Sequence, residues 1–126
     1  MELILTGLKV VCTPGTLLWI VLGVVLGVIF GALPGVSATM AIVLCISFTY
    51  TMSPVMGIAF LSAVYCAAIT GGSITAILFK IPGTPSSAAT VLDGYPMVER
   101  GEAGKALTVA LVSSGLGGLA SCIIMF

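Results

Sequence analysis

An all-α membrane protein, made of transmembrane helices and broken or re-entrant half-helices, is the fold predicted by three features of the chain. Hydrophobic residues make up 60% of its 126 residues and charged residues only 6%, where a soluble domain carries about a quarter charged. Two apolar runs are long enough to cross a hydrocarbon core of roughly 30 Å, which takes about 20 helical residues. Between them lie apolar pieces too short to span alone, cut at Pro-Gly, Ser-Pro and Gly-Gly steps. Breaks of that kind are tolerated at membrane depth only where protein covers them or they line a wet cavity.

Composition also excludes several functions. Net charge is zero, which argues against nucleic acid as a partner, and no basic amphipathic helix suited to a membrane surface is expected. Histidine is absent, so the commonest general base and metal ligand are missing. Cys12, Cys45, Cys66 and Cys122 are scattered without a C-x-x-C pair and read as small buried packing residues.

Residues 16–33, TLLWIVLGVVLGVIFGAL, form the first predicted span, between Pro14-Gly15 and Pro34-Gly35. A signal peptide is the alternative, but the start is nearly uncharged and no A-x-A pattern follows, so the helix is expected to remain. Gly23, Gly27, Gly31 and Gly35 recur every four residues and would share one face. Such a stripe is a seam for close helix packing. Residues 36–48, 55–69 and 73–81 are the short apolar pieces, ending respectively at SFTYTMSP, at Thr70-Gly71-Gly72-Ser73 and at Pro82-Gly83. Either they are half-spans or they join into ordinary kinked spans. A polar segment (82–93) and a charged loop (94–105) lead to the second full span, residues 106–126, where Ala110, Ser114 and Gly118 make a second small-residue face.

The densest interruption is KIPGTPSSAATVLDGYP, from Lys80 to Pro96. Thr84 is a suitable N-cap and Pro85 suits the first helical position, so a helix is expected to start there. Its free N–H groups carry partial positive charge, and with the hydroxyls of Thr84, Ser86 and Ser87 they would suit a carboxylate or phosphate. Lys80 is close enough to assist an anion or to snorkel toward headgroups. Short Gly/Pro-interrupted apolar segments point to a transporter binding site, and on that reading Ser87→Phe in the full-length protein should abolish carboxylate uptake without lowering membrane abundance. Pro34, Gly35, Ser37 and Thr39 repeat the logic: freed carbonyls and hydroxyls could hold Na⁺, or the hydroxyls could satisfy their own backbone. Asp93 reads as a turn residue, a partner for Lys80 or a coupling carboxylate. A serine hydrolase is a poor fit, because only Lys80 or Asp93 could act as base. A small structural protein oligomerising through its glycine faces is a further alternative.

With these residues in view, the chain resembles the TctA family, the large membrane subunit of tripartite tricarboxylate transporters. The resemblance rests on GVIFGALPGVSATMAI (27–42), TGGSITAILFKIPGTPSSAATVLDGYPM (70–97) and GEAGKAL (101–107). It implies a multi-pass permease of the bacterial inner membrane and no enzyme activity. It further implies ion-gradient-driven uptake of citrate-like di- and tricarboxylates, coupled to Na⁺ or H⁺, with a small membrane subunit and a periplasmic solute-binding protein. The family's Pro-Gly segments would place Pro34, Gly35, Pro82, Gly83, Thr84, Pro85, Ser86 and Ser87 at the substrate. Departures from the family pattern fall at Ser47, Ala67, Thr70 and Lys80, where members often carry proline, glycine, an aromatic and asparagine. Members are roughly four times longer, with two related halves. The resemblance therefore implies an N-terminal fragment or truncated frame, half or less of an inverted-repeat transporter.

Overall fold

The computed structural model describes residues 2–125. Among them the chain forms α1 (Glu2–Val11), α2 (Pro14–Ala32), α3 (Ala38–Thr49), α4 (Pro54–Phe79), α5 (Ala88–Glu99) and α6 (Ala103–Met125), with a 3-10 turn at Pro85–Ser87 leading into α5. No strand occurs among the described residues. The protein is all-α, and α2, α4 and α6 are each long and apolar enough to cross a membrane. Phe126, the last residue of the second expected span, lies outside the described residues.

Local chemistry sets the helix limits. Pro14 and Pro54 open α2 and α4, where a missing N–H costs nothing because the first turn leaves it unpaired anyway. The Thr13 hydroxyl donates to the Val10 carbonyl at 2.8 Å, tying the end of α1 to the start of α2. α2 stops before Pro34, whose ring forces the preceding Leu33 out of helical backbone into an extended one. Gly35 then turns the chain at φ +92°, a conformation that costs glycine little. Ser37 caps α3 by accepting the Met40 N–H at 3.2 Å.

The main packing unit is the pair α2 and α4. A Cβ on Gly23 would meet the Phe60 carbonyl, one on Gly27 the Val64 carbonyl, and one on Gly31 the Ala68 carbonyl. Each step of four along α2 is matched by a step of four along α4, so the two helices run parallel with backbones in contact. α3 returns between their levels, bringing Thr49 to Gly57. Ala38, Ala41 and Cys45 of α3 join Phe60, Val64 and Ala68 of α4 in the core. Trp19 closes it from α2, edge-on to Phe60 at 5.9 Å.

Three expectations are corrected. Residues 55–69 and 73–81 are not separate pieces, because α4 runs unbroken through Gly71 and Gly72. Each glycine costs a helix about 1 kcal/mol, but Gly71 lies against the Val28 carbonyl and Gly31 Cα, and Gly72 against Thr84. Close packing and the need to keep backbone bonds in lipid outweigh the local preference. The 94–105 loop shrinks, since α5 continues to Glu99 and only Arg100–Glu102 separate it from α6. Gly94 allows this by packing its Cα against Ile77. Finally, of the four cysteines expected to be buried, only Cys45 lies in the core, while Cys12, Cys66 and Cys122 are exposed; α1, with its exposed Leu5 and Leu8, lies outside the expected spans.

Lys80 ends α4 in the left-handed region at φ 60°, which costs a side-chain-bearing residue about 1–2 kcal/mol. Its ammonium lies 5.2 Å from the centre of the Tyr95 ring, a contact worth about 0.5–1 kcal/mol at an exposed site. Relief of backbone strain is the larger effect, and asparagine tolerates this conformation. Lys80→Asn is therefore expected to raise the melting temperature of the detergent-solubilised protein by a few degrees; a lower value would mean the Tyr95 contact dominates.

Candidate functional site

The feature that sets this bundle apart is an elbow at residues 80–87. α4 extends eight residues beyond Gly71, about 12 Å at 1.5 Å per residue. The chain then reverses, and by Thr84 it is back beside Gly72, where a Cβ would lie 2.8 Å from Thr84 Cγ2. Four residues cover that return only if nearly extended, at about 3.3 Å each, and Thr84 is indeed extended (φ −133°, ψ 156°). From there the 3-10 turn and α5 run outward again along the last turns of α4, reaching Ile77 at Gly94.

Gly83 is the pivot of the elbow. A Cβ there would lie 2.8 Å from the Gly31 carbonyl, 2.8 Å from Gly72 Cα and 2.9 Å from the Thr75 hydroxyl. Thr75 is itself buried and donates to the Gly72 carbonyl at 3.2 Å. The Pro82-Gly83 break is thus docked against the last turn of α2, three residues before the Pro34-Gly35 break. Two segments separated by almost fifty residues in the sequence meet at one level of the bundle.

The hydroxyls of the elbow divide into two kinds. Ser87 Oγ donates to the Thr84 carbonyl at 2.8 Å and accepts the Thr84 N–H at 3.2 Å and the Thr84 hydroxyl at 3.4 Å. A serine hydroxyl has one proton and two lone pairs, so its capacity is used. Ser87 is only 2% exposed and Thr84 5%. Both side chains close the elbow internally as a reciprocal cap, which satisfies donors that a helix start leaves unpaired. Ser86 is different: it is exposed and its hydroxyl lies 3.0 Å from that of Thr84. Pro82 and Pro85 are exposed beside it.

This geometry changes one expectation. Ser87→Phe would drive a ring into a filled space, so the loss falls on folding before it falls on uptake. At the other break, Pro34, Gly35, Ser37 and Thr39 are exposed, and the Ser37 hydroxyl is engaged as the α3 cap. Gly23, Gly27 and Gly31 are buried against α4, whereas Gly35 stands in the turn with open space around it. On α6, Ser114 and Gly118 are exposed and Ala110 is half-buried.

Two grooves escaped sequence reasoning. One, of about 500 Å³, opens between α2, α4 and α6 and is lined mainly by apolar side chains such as Val24, Val28, Ile74 and Leu111. The other, of about 360 Å³, lies between α4, α5 and α6 and contains Asp93 together with several hydroxyls. The polar residues of α6 at 113–114 were the available signal for the second. No group of three or more metal-ligating side chains occurs among the described residues.

Comparison with known proteins follows this geometry. The family model described as "Tripartite tricarboxylate transporter TctA family" matches residues 17–126. An uncharacterised 52.8 kDa protein in the TAR-I ttuC' 3' region of Agrobacterium vitis is 40% identical over 119 residues. The match takes in 94% of this chain but 24% of that relative, so the chain spans about a quarter of its length. No solved structure matches the chain.

Proposed function

This chain belongs to the tripartite tricarboxylate transporter TctA family, and we propose that it forms part of a multi-pass permease in the bacterial inner membrane. The permease takes up citrate-like di- and tricarboxylates, driven by a gradient of Na⁺ or H⁺. It works with a small membrane subunit and a periplasmic solute-binding protein. Family membership supports the class of function, and the docking of the Pro82-Gly83 elbow on the end of α2 supports the location of the substrate passage. Discontinuous helices packed together are the usual setting of binding sites in secondary transporters.

Within that passage the exposed edge of the elbow, Pro82, Pro85 and Ser86, faces the carboxylate. Gly83, Thr84 and Ser87 hold the edge in place. Pro34 and Gly35 supply the neighbouring wall, with Ser37 and Thr39 one turn further along. The Ser86 hydroxyl offers a donor to an anion without the cost of a full charge in the membrane.

The test is uptake of labelled citrate and succinate by proteoliposomes that hold the full-length permease with its two partner subunits. Ser86→Leu is expected to cut uptake about tenfold or more, the size of one lost hydrogen bond to a charged group, with unchanged folded yield. Wild-type uptake by Ser86→Leu would remove the elbow edge from the passage.

A further inference from the structure

The groove between α4, α5 and α6 has a chemistry of its own. Asp93 of α5 lines it, together with the hydroxyl-bearing residues Ser73 of α4, Thr90 of α5, and Ser113 and Ser114 of α6. The position of Asp93 is fixed by its neighbour, because Gly94 packs against Ile77 so closely that a Cβ would lie 2.7 Å from Ile77 Cγ1. α4 and α6, which supply the other walls, are both apolar enough to span.

Among the described residues, no other charged or titratable side chain lines this groove. Those nearest on the packed elements are directed elsewhere. The Lys80 ammonium at the end of α4 lies over the Tyr95 ring. On α6, Lys105 pairs with Glu102 at 3.6 Å. Glu99 and Arg100 sit at the far end of α5 and are exposed. Asp93 thus brings a negative charge to a space walled by apolar helices, with neutral oxygens around it and no lysine or arginine in the lining. Asp93, Ser113 and Ser114 are exposed in this chain, so the groove is open on one side; ionisable residues that line a water-filled cavity in a membrane protein mark ion or proton paths. A carboxylate with hydroxyl oxygens is a donor set for a hard cation.

We propose that Asp93 is the carboxylate at which the permease takes up its coupling cation, with Ser73, Thr90, Ser113 and Ser114 as neutral oxygen partners. This rests on the transporter reading above and gives its ion a location apart from the elbow edge. The shared chemistry is neutralisation of Asp93, by a proton or by Na⁺. Because Asp93 and the 82–87 elbow are joined through α5, occupation of the groove acts on the same helix whose start faces the substrate.

The test uses dicyclohexylcarbodiimide, which modifies protonated carboxyl groups in apolar surroundings, on the full-length permease in lipid nanodiscs, with the product located by mass spectrometry. Modification of Asp93 that falls several-fold with sodium chloride, and not with choline chloride, supports a Na⁺ site. Modification that follows pH alone, without protection by sodium, supports a proton site. An unmodified Asp93 in folded protein overturns the proposal. In proteoliposomes, Asp93→Asn is expected to lose gradient-driven accumulation and to retain carboxylate exchange; accumulation at the wild-type level overturns the proposal as well. If the wild-type protein moves no carboxylate yet Asp93 is modified with sodium protection, the cation site stands and the substrate reading falls.

Discussion

Gly27→Leu is expected to eliminate most recoverable folded protein, while Gly104→Leu is expected to leave yield and melting temperature nearly unchanged. A Cβ on Gly27 would sit 2.5 Å from the Val64 carbonyl, 2.7 Å from Ala67 Cβ and 3.1 Å from the Ala68 amide. Two of these three atoms belong to the backbone of α4 and cannot swing aside. α2 and α4 would have to separate along the whole seam, carrying away the contacts of Gly23 with Phe60 and of Gly31 with Ala68. Overpacking a core costs about 1–3 kcal/mol and sometimes more. Here the upper end applies, roughly a hundredfold in the folded-to-unfolded ratio. Membrane helices gain little from hydrophobic transfer between each other, so backbone proximity is what holds them. Gly104 has nothing within 4 Å of its Cβ position, so the same substitution there adds leucine without a clash. The readout is the monodisperse fraction after solubilisation, and equal yields for the two variants would contradict the seam.

How far this architecture is legible in the sequence depends on whether a signal is local. The α2 span, its proline start and the four-residue glycine rhythm are written within twenty residues and can be read directly. The helix start at Thr84-Pro85 is equally local, since capping needs only neighbours. The fate of Gly71 and Gly72 is not local. Read alone, Thr70-Gly71-Gly72-Ser73 is a breaker; in the bundle it is where α2 and the elbow press into α4. The clue was the four-residue spacing of Ala63, Ala67 and Gly71, matched to that of Gly23, Gly27 and Gly31, but it acquires meaning only when two distant segments are paired. Ser87 shows the same limit at the candidate site. Its residue type suits a ligand, but its burial and its bonds to Thr84 assign it to the elbow, and the elbow is docked through Gly83 and Thr84 on the distant Gly31 and Gly72. The Asp93 groove depends on three helices and could not be assembled from spacing at all.

Gly83→Val should undo the elbow without dismantling the α2–α4 pair. The added Cβ would meet atoms on two sides at once, the Gly31 carbonyl and Gly72 Cα at 2.8 Å, with the Thr75 hydroxyl at 2.9 Å. The first two are backbone, so α2 and α4 stay where their own glycine seam holds them and the 82–84 strand of chain must lift away. With it goes the dock of Thr84 on Gly72, and the cap formed by Thr84 and Ser87 becomes exposed to solvent or lipid. The expected cost is about 3 kcal/mol or more, concentrated in the elbow. It should appear, in a protein whose native cysteines are replaced by alanine, as a large gain in the reactivity of a cysteine placed at Ser87, which is 2% exposed in the native fold, measured with a membrane-permeant maleimide. Carboxylate uptake should fall together with that gain. Ser87→Phe tests the same dock from the inner side, and it should reduce folded yield as well as uptake. If Gly83→Val left the position-87 cysteine protected, the elbow would not depend on Gly83, and the two Pro-Gly breaks would be neighbours without being coupled. If the cysteine became reactive while uptake persisted, the elbow would be a packing device and the substrate passage would lie elsewhere in the protein.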